Sequence, residues 1–113
     1  MSSLTTGEIY DRLSLAVERR ERVALATVAA TYGATPQREG ARMLIFEDGR
    51  MLGTVGGGCV EAEVFAEARQ VMRSGEPGLF RFELTAETDA GEGAGDVCGG
   101  VMEIFIEPWP RKN

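Results

Sequence analysis

The sequence contains no histidine and only two cysteines, Cys59 and Cys98. Without imidazole, one chain cannot assemble a Ser-His-Asp triad, a Cys-His pair or a zinc site with histidine ligands. Two thiols also fall short of a four-thiolate zinc or iron–sulfur centre. Bases are scarce: 12 Lys and Arg stand against 18 Asp and Glu, a net charge of -6. That balance argues against generic nucleic-acid binding, which needs a basic footprint, and against adhesion to an anionic membrane. Long apolar runs are missing too. The longest, Val23 to Ala30 (VALATVAA), is far below the roughly 20 residues of a bilayer span. Met1 to Thr6 is short and polar, unlike a signal peptide, so a reducing cytoplasm is the expected setting.

What remains for chemistry is thiols, carboxylates, arginines, hydroxyls and backbone amides. The 113 residues suit one domain, able to bury about two-thirds of its unfolded surface without staples. The expected fold is α/β: a single compact domain with a mixed five-stranded sheet, an N-terminal helix within residues 1–22, and one βαβ crossover helix within residues 23–113. Thr5-Thr6-Gly7-Glu8 reads as a capping box, and Ile9, Leu13 and Val17 recur on one helical face. Arg19, Arg20 and Arg22 gather where positive charge suits the helix C-terminus. Val23 to Ala30 has the apolar continuity of a central strand. Arg42–Glu47 and Arg50–Val55 flank Asp48-Gly49, a hairpin signal that predicts a two-residue turn.

After Gly56-Gly57-Gly58, a helix is predicted from Cys59 to Ser74, with Val60, Val64, Ala68, Val71 and Met72 as its apolar stripe and Gly75 as its stop. Leu79–Leu84 and Val101–Glu107 alternate as half-buried strands. Between them, Thr85 to Gly100 is a glycine- and acid-rich loop of a length usually functional or mobile in so small a domain. Let the first strand run up. The short link and the hairpin then send the second down and the third up. A crossover sends the fourth up, and the fifth returns. Residues 33–41, 56–59 and 85–100 therefore meet at one sheet edge, where α/β proteins place ligands.

Three features on that edge carry candidate chemistry. The glycine run before a helix exposes amides to an anion, although it matches neither a P-loop nor a dinucleotide fingerprint; a tightly packed turn is the alternative. Cys59, placed in the first helical turn, gains thiolate character from the helix dipole, against the commoner role of a small buried hydrophobe. Cys98-Gly99-Gly100 is expected to keep a second thiol accessible and near Cys59; the alternative is that its glycines serve only a tight entry to the strand. Thr35, Gln37 and Arg38 add a hydroxyl, an amide and a guanidinium, the last suited to phosphate or simply solvated. Seven acids and no Lys or Arg between Glu83 and Glu107 read as a solvated loop, with Asp96 near Cys98 the exception. Trp109, between two prolines, packs on the domain or serves an interface.

In order along the chain stand Gly33-Ala34-Thr35-Pro36-Gln37-Arg38, Gly40-Ala41-Arg42-Met43, Gly53-Thr54-Val55-Gly56-Gly57-Gly58-Cys59-Val60-Glu61, and Cys98-Gly99-Gly100 with Phe105-Ile106-Glu107-Pro108. This array resembles the N-terminal domain of the XdhC/CoxI family over about Val23 to Pro108. One departure is Thr35-Pro36-Gln37-Arg38, where a Ser-x-Pro-Arg-like loop is expected. The resemblance implies a maturation factor that binds the molybdenum cofactor (molybdopterin) as cargo and helps insert it into xanthine dehydrogenase or CO dehydrogenase-type molybdenum hydroxylases. It implies cofactor contacts from Thr35, Arg38, Gly56, Gly57, Gly58, Cys59, Cys98, Gly99 and Gly100, with Cys59 a candidate molybdenum contact or sulfur carrier. Full-length relatives add a Rossmann-like domain that this sequence lacks. Expected partners are thus the apo-enzyme, a separate Rossmann-domain protein or a cysteine desulfurase, and a second copy in a homodimer. A carrier is expected rather than a turnover enzyme. The competing reading is a thiol-based sulfurtransferase or redox enzyme with Cys59 as nucleophile and Cys98 as resolving thiol.

Overall fold

A computed structural model describes residues 4–58, 60–84 and 99–110. Helix α1 (Thr6–Glu18) opens on the capping box, with Thr5 N donating to Glu8 Oε1 at 2.8 Å and Glu8 N to Thr5 Oγ1 at 3.1 Å. These bonds satisfy two amides that a helix start otherwise leaves orphaned. Ile9, Leu13 and Ala16 form its buried face, and Val17 packs at the rim.

Strands β1 (Val23–Tyr32), β2 (Arg42–Phe46) and β3 (Met51–Gly53) follow, then helix α2 (Glu61–Ser74) and strands β4 (Gly78–Glu83) and β5 (Val101–Trp109). The sheet order is β3-β2-β1-β5-β4. Strand directions are as the sequence predicts, but the expected mixed sheet is antiparallel at every pairing. The reason is β5, which inserts between β1 and β4. The crossover therefore joins two edge strands that run the same way without touching. Burying the stripe of α2 against the middle of the sheet requires this passage from edge to edge.

Alternation along the strands divides the core in two. Ala24, Ala26, Val28, Met43, Ile45, Met102, Ile104 and Ile106 pack under α2 through Val64, Ala68, Val71 and Met72. Val23, Leu25, Leu44 and Phe46 pack on the opposite face against α1. Each fully buried aliphatic side chain contributes about 1.5–3 kcal/mol relative to exposure. Trp109 packs into the α1 layer. That layer stops short of the far edge, where Leu79 and Phe105, directly opposite in the β4–β5 register, are exposed.

The hairpin differs from expectation by one residue. Phe46 N donates to Arg50 O at 2.8 Å, so Glu47, Asp48 and Gly49 form a three-residue loop, with Gly49 at φ 103°. A type I turn followed by a left-handed glycine is the common three-residue solution. Of the basic cluster, Arg22 crosses the bottom of the fold: it donates to the Met72 carbonyl at the end of α2 and pairs with Glu47 at 3.6 Å. No helix among the described residues is long and apolar enough to cross a membrane.

Candidate functional site

The strand directions leave β1, β3 and β4 ending, and β2 and β5 beginning, at one edge of the sheet. The loops there are in close contact. A Cβ on Gly100 would lie 2.4 Å from Tyr32 O, 2.5 Å from Ala34 O and 2.8 Å from Thr35 Cγ2. Only glycine allows that approach, well inside any real carbon contact. A Cβ on Gly57 would meet Pro36 Cβ at 3.1 Å. Leu84 N donates to Gly100 O at 2.8 Å, closing the third loop onto the strand before it. Segments 33–36, 56–58 and 99–100 are thus brought together as the sequence predicts. Cys59, Cys98 and Asp96 lie outside the described residues.

Helix α2 begins at Glu61, with Val60 as its cap residue and no side-chain cap bond, two residues later than expected. A side-chain network organises the turn before it. Glu61 folds its carboxylate back over the glycine turn: Oε2 accepts from Gly56 N at 3.1 Å, Oε1 from Gly58 N at 2.7 Å. Thr54 Oγ1 donates to Oε2 at 2.6 Å and accepts from Gly57 N at 3.0 Å. All three glycine amides are therefore bonded within the chain. Burial pushes the Glu61 pKa up, but the bonds from Thr54, Gly56 and Gly58 outweigh it and hold the carboxyl below the ordinary glutamate value. The turn is an anion site, and its anion is Glu61. A phosphate there would have to displace it.

The other expected contacts divide by exposure. Gly56 is buried, and a Cβ there would stand 2.3 Å from Val60 Cγ2, so it packs the turn. Gly58 and Gly99 are exposed, with nothing within 4 Å of an added Cβ. Thr35 is half-buried, its hydroxyl donating to Gln37 O at 3.0 Å. Arg38 is exposed. Among the described residues no group of three or more acidic or thiol side chains could hold a metal ion.

Sequence reasoning missed Glu61 and Thr54 as parts of this site. The available signal was the spacing: a glutamate three residues after Gly58 and a threonine two residues before Gly56 bracket the turn with an acceptor and a hydroxyl. It also passed over Arg42, at the start of β2. An open pocket of about 670 Å³ lies on the α1 side of this edge, lined by residues including Ile9, Gln37, Arg42, Met51, Leu52 and Thr54.

The XdhC and CoxI family model matches residues 16–83, a span containing the 33–41 loop, the hairpin, the glycine turn and α2. The chain belongs to the XdhC and CoxI family. This XdhC/CoxI chain is 41% identical over 87 residues to the molybdenum cofactor insertion chaperone PaoD of Escherichia coli, covering 73% of the chain and 25% of the relative. It is 30% identical over 101 residues to a probable xanthine dehydrogenase subunit of Bacillus subtilis, covering 89% of the chain and 31% of that protein. Its fold is similar to a crystal structure of a xanthine dehydrogenase from Bacillus halodurans, with a TM-score of 0.72 and 30% identity, over 87% of this chain and 29% of that one. The chain thus spans less than a third of the length of each of these relatives.

Proposed function

We propose that this chain is a maturation factor that holds the molybdenum cofactor as cargo at the loop-bearing sheet edge and passes it to a molybdenum hydroxylase apo-enzyme in the cytoplasm. The observation that carries the reading is the packing of both cysteine-bearing motifs on one segment. Gly57, two residues before Cys59, packs on Pro36, and Gly100, two residues after Cys98, packs on Ala34 and Thr35. Cys59 and Cys98, each two residues in sequence from one of these anchored glycines, are the thiols this reading assigns to the cargo. Thiolates suit a soft metal–dithiolene group. The naming of PaoD as an insertion chaperone points the same way.

In this reading Cys59 contacts the metal or carries sulfur, Cys98 and exposed Gly58, Gly99 and Arg38 border the cargo, and Glu61 with Thr54 sets the shape of the turn. Gly56 and Gly100 act by packing. The carrier self-associates or works with a separate Rossmann-domain protein; light scattering of the purified chain tests the first option directly.

The deciding experiment mixes purified protein with molybdopterin cofactor and measures retention by ultrafiltration for wild type and Cys59→Ala. Retention by wild type that drops in the variant is the expected result. No retention by wild type, with persulfide forming on Cys59 from a sulfur donor in the absence of pterin, would replace the carrier with a thiol enzyme.

A further inference from the structure

The glycine turn, the obvious place for the cargo's phosphate, is already filled by the Glu61 carboxylate. A phosphate-bearing ligand at this edge therefore needs another cation, and the pocket on the α1 side has one. Arg42 lines it. One of its donors, Nη1, bonds Gly40 O at 2.9 Å, and its guanidinium carbon lies 5.5 Å from the centroid of the Tyr10 ring. It has no carboxylate partner among the described residues, unlike Arg22, Arg50 and Arg81, which all pair with acids. Its Nε is shielded from solvent and has no acceptor among the described residues. A shielded donor left unpaired is costly, and a guanidinium that turns toward an oxyanion in the pocket gains the acceptor it lacks. Arginine's planar fork suits phosphate in particular.

The rest of the lining fits an organic phosphate better than a bare ion. Ile9, Met51 and Leu52 give apolar walls, and Gln37 adds a carboxamide. The volume, about 670 Å³, falls in the ordinary range for small-molecule sites of about 300–1,000 Å³. Gln37 and Thr54 link this pocket to the loop cluster: Gln37 shares the loop of Thr35 and Arg38, and Thr54 bonds Glu61. We propose that this pocket is an organic-phosphate site, with Arg42 as the phosphate ligand, and that it seats the phosphate end of the cargo while the thiol-bearing loops face the metal end. The proposal rests on the carrier reading for the identity of the cargo, but not for the existence of the site.

The test follows the Arg42 Nε–H resonance of the full chain by NMR during titration with phenyl phosphate, inorganic phosphate, benzoate and phenol, and repeats the molybdopterin retention assay on Arg42→Met and Arg42→Lys. Phenyl phosphate should shift Nε–H saturably and more tightly than inorganic phosphate or benzoate, and phenol should not shift it. Arg42→Met should weaken molybdopterin retention roughly ten- to hundredfold, the scale of a lost charge-assisted pair, with Arg42→Lys intermediate because it keeps charge without the fork. An unmoved Nε–H with phenyl phosphate overturns the site, and so does benzoate matching phenyl phosphate. Wild-type retention in a folded Arg42→Met overturns its role in holding cargo while leaving the carrier reading intact. If wild type retains no molybdopterin, the carrier reading fails, and the phenyl phosphate titration alone decides whether the pocket is a phosphate site.

Discussion

Replacing Glu61 with alanine removes the anion that organises the glycine turn, and its cost follows from what each donor does next. Gly58 is exposed and its N–H turns to water at little cost; the half-buried Thr54 hydroxyl can do much the same. Gly56 is buried, so its N–H loses its acceptor inside the fold, a penalty of about 1–3 kcal/mol. Taking about 2 kcal/mol, and about 5 °C of melting temperature per kcal/mol for a domain of this size, Glu61→Ala should melt about 10 °C lower at pH 7. Glu61→Gln keeps one acceptor oxygen but turns an amide NH2 toward a donor, and should lose about half as much. Because the folded carboxyl titrates below its ordinary value, the ionised group stabilises the fold at neutral pH. That stabilisation is complete above the unfolded pKa and is lost as pH falls through the lowered folded pKa. The gap between wild type and Glu61→Gln should therefore narrow from about pH 5 downward. Thermal melts by circular dichroism at several pH values measure both effects, and millimolar acetate should recover part of the alanine variant's loss. A Glu61→Ala melting point within about 2 °C of wild type, or a gap that widens in acid, would refute the internal-anion account.

Three further outcomes test the frame around that turn. Gly100→Ala puts a Cβ inside the contact radius of two carbonyl oxygens and should cost about 1–3 kcal/mol as overpacking, with faster amide exchange at Leu84, whose N–H bonds the Gly100 carbonyl. Thr5→Ala removes the side-chain half of the capping box and should cost about 1 kcal/mol, read in urea melts with an unchanged slope. Cys59 should alkylate faster than a model thiol near neutral pH if a thiolate is favoured there; a pKa near about 8.5, the model-peptide value, would mean that the helix start contributes nothing to it.

Much of the fold was legible because each element carries its own local cause. The capping box, the Ile9–Leu13 stripe, the unbroken apolar run of β1 and the period-two alternation of β5 each predict one element without reference to any other. Strand directions followed from connection lengths, and these brought the three loops to one edge. The sheet order did not follow, because β5 is placed by where its apolar face of Met102, Ile104 and Ile106 finds cover under α2, a property of the assembled layers. Helix propensity likewise could not locate the start of α2, since Val60 lacks a capping side chain and the turn is organised by a carboxylate folding back from inside the helix.

That last point changes what the glycine run means. From sequence, three glycines before a helix look like an open cradle for an external anion. In the structure the cradle is occupied by Glu61, two residues beyond Cys59. Motif and chemistry are then related differently: Gly56-Gly57-Gly58 is a turn whose anion the chain's own Glu61 supplies. A carrier of the kind proposed would gain from this arrangement, because the turn is preset before cargo arrives and after it leaves. On the proposed reading a cation for such cargo comes from outside the turn, and Arg42, in the lining of the adjoining pocket, is placed to supply it.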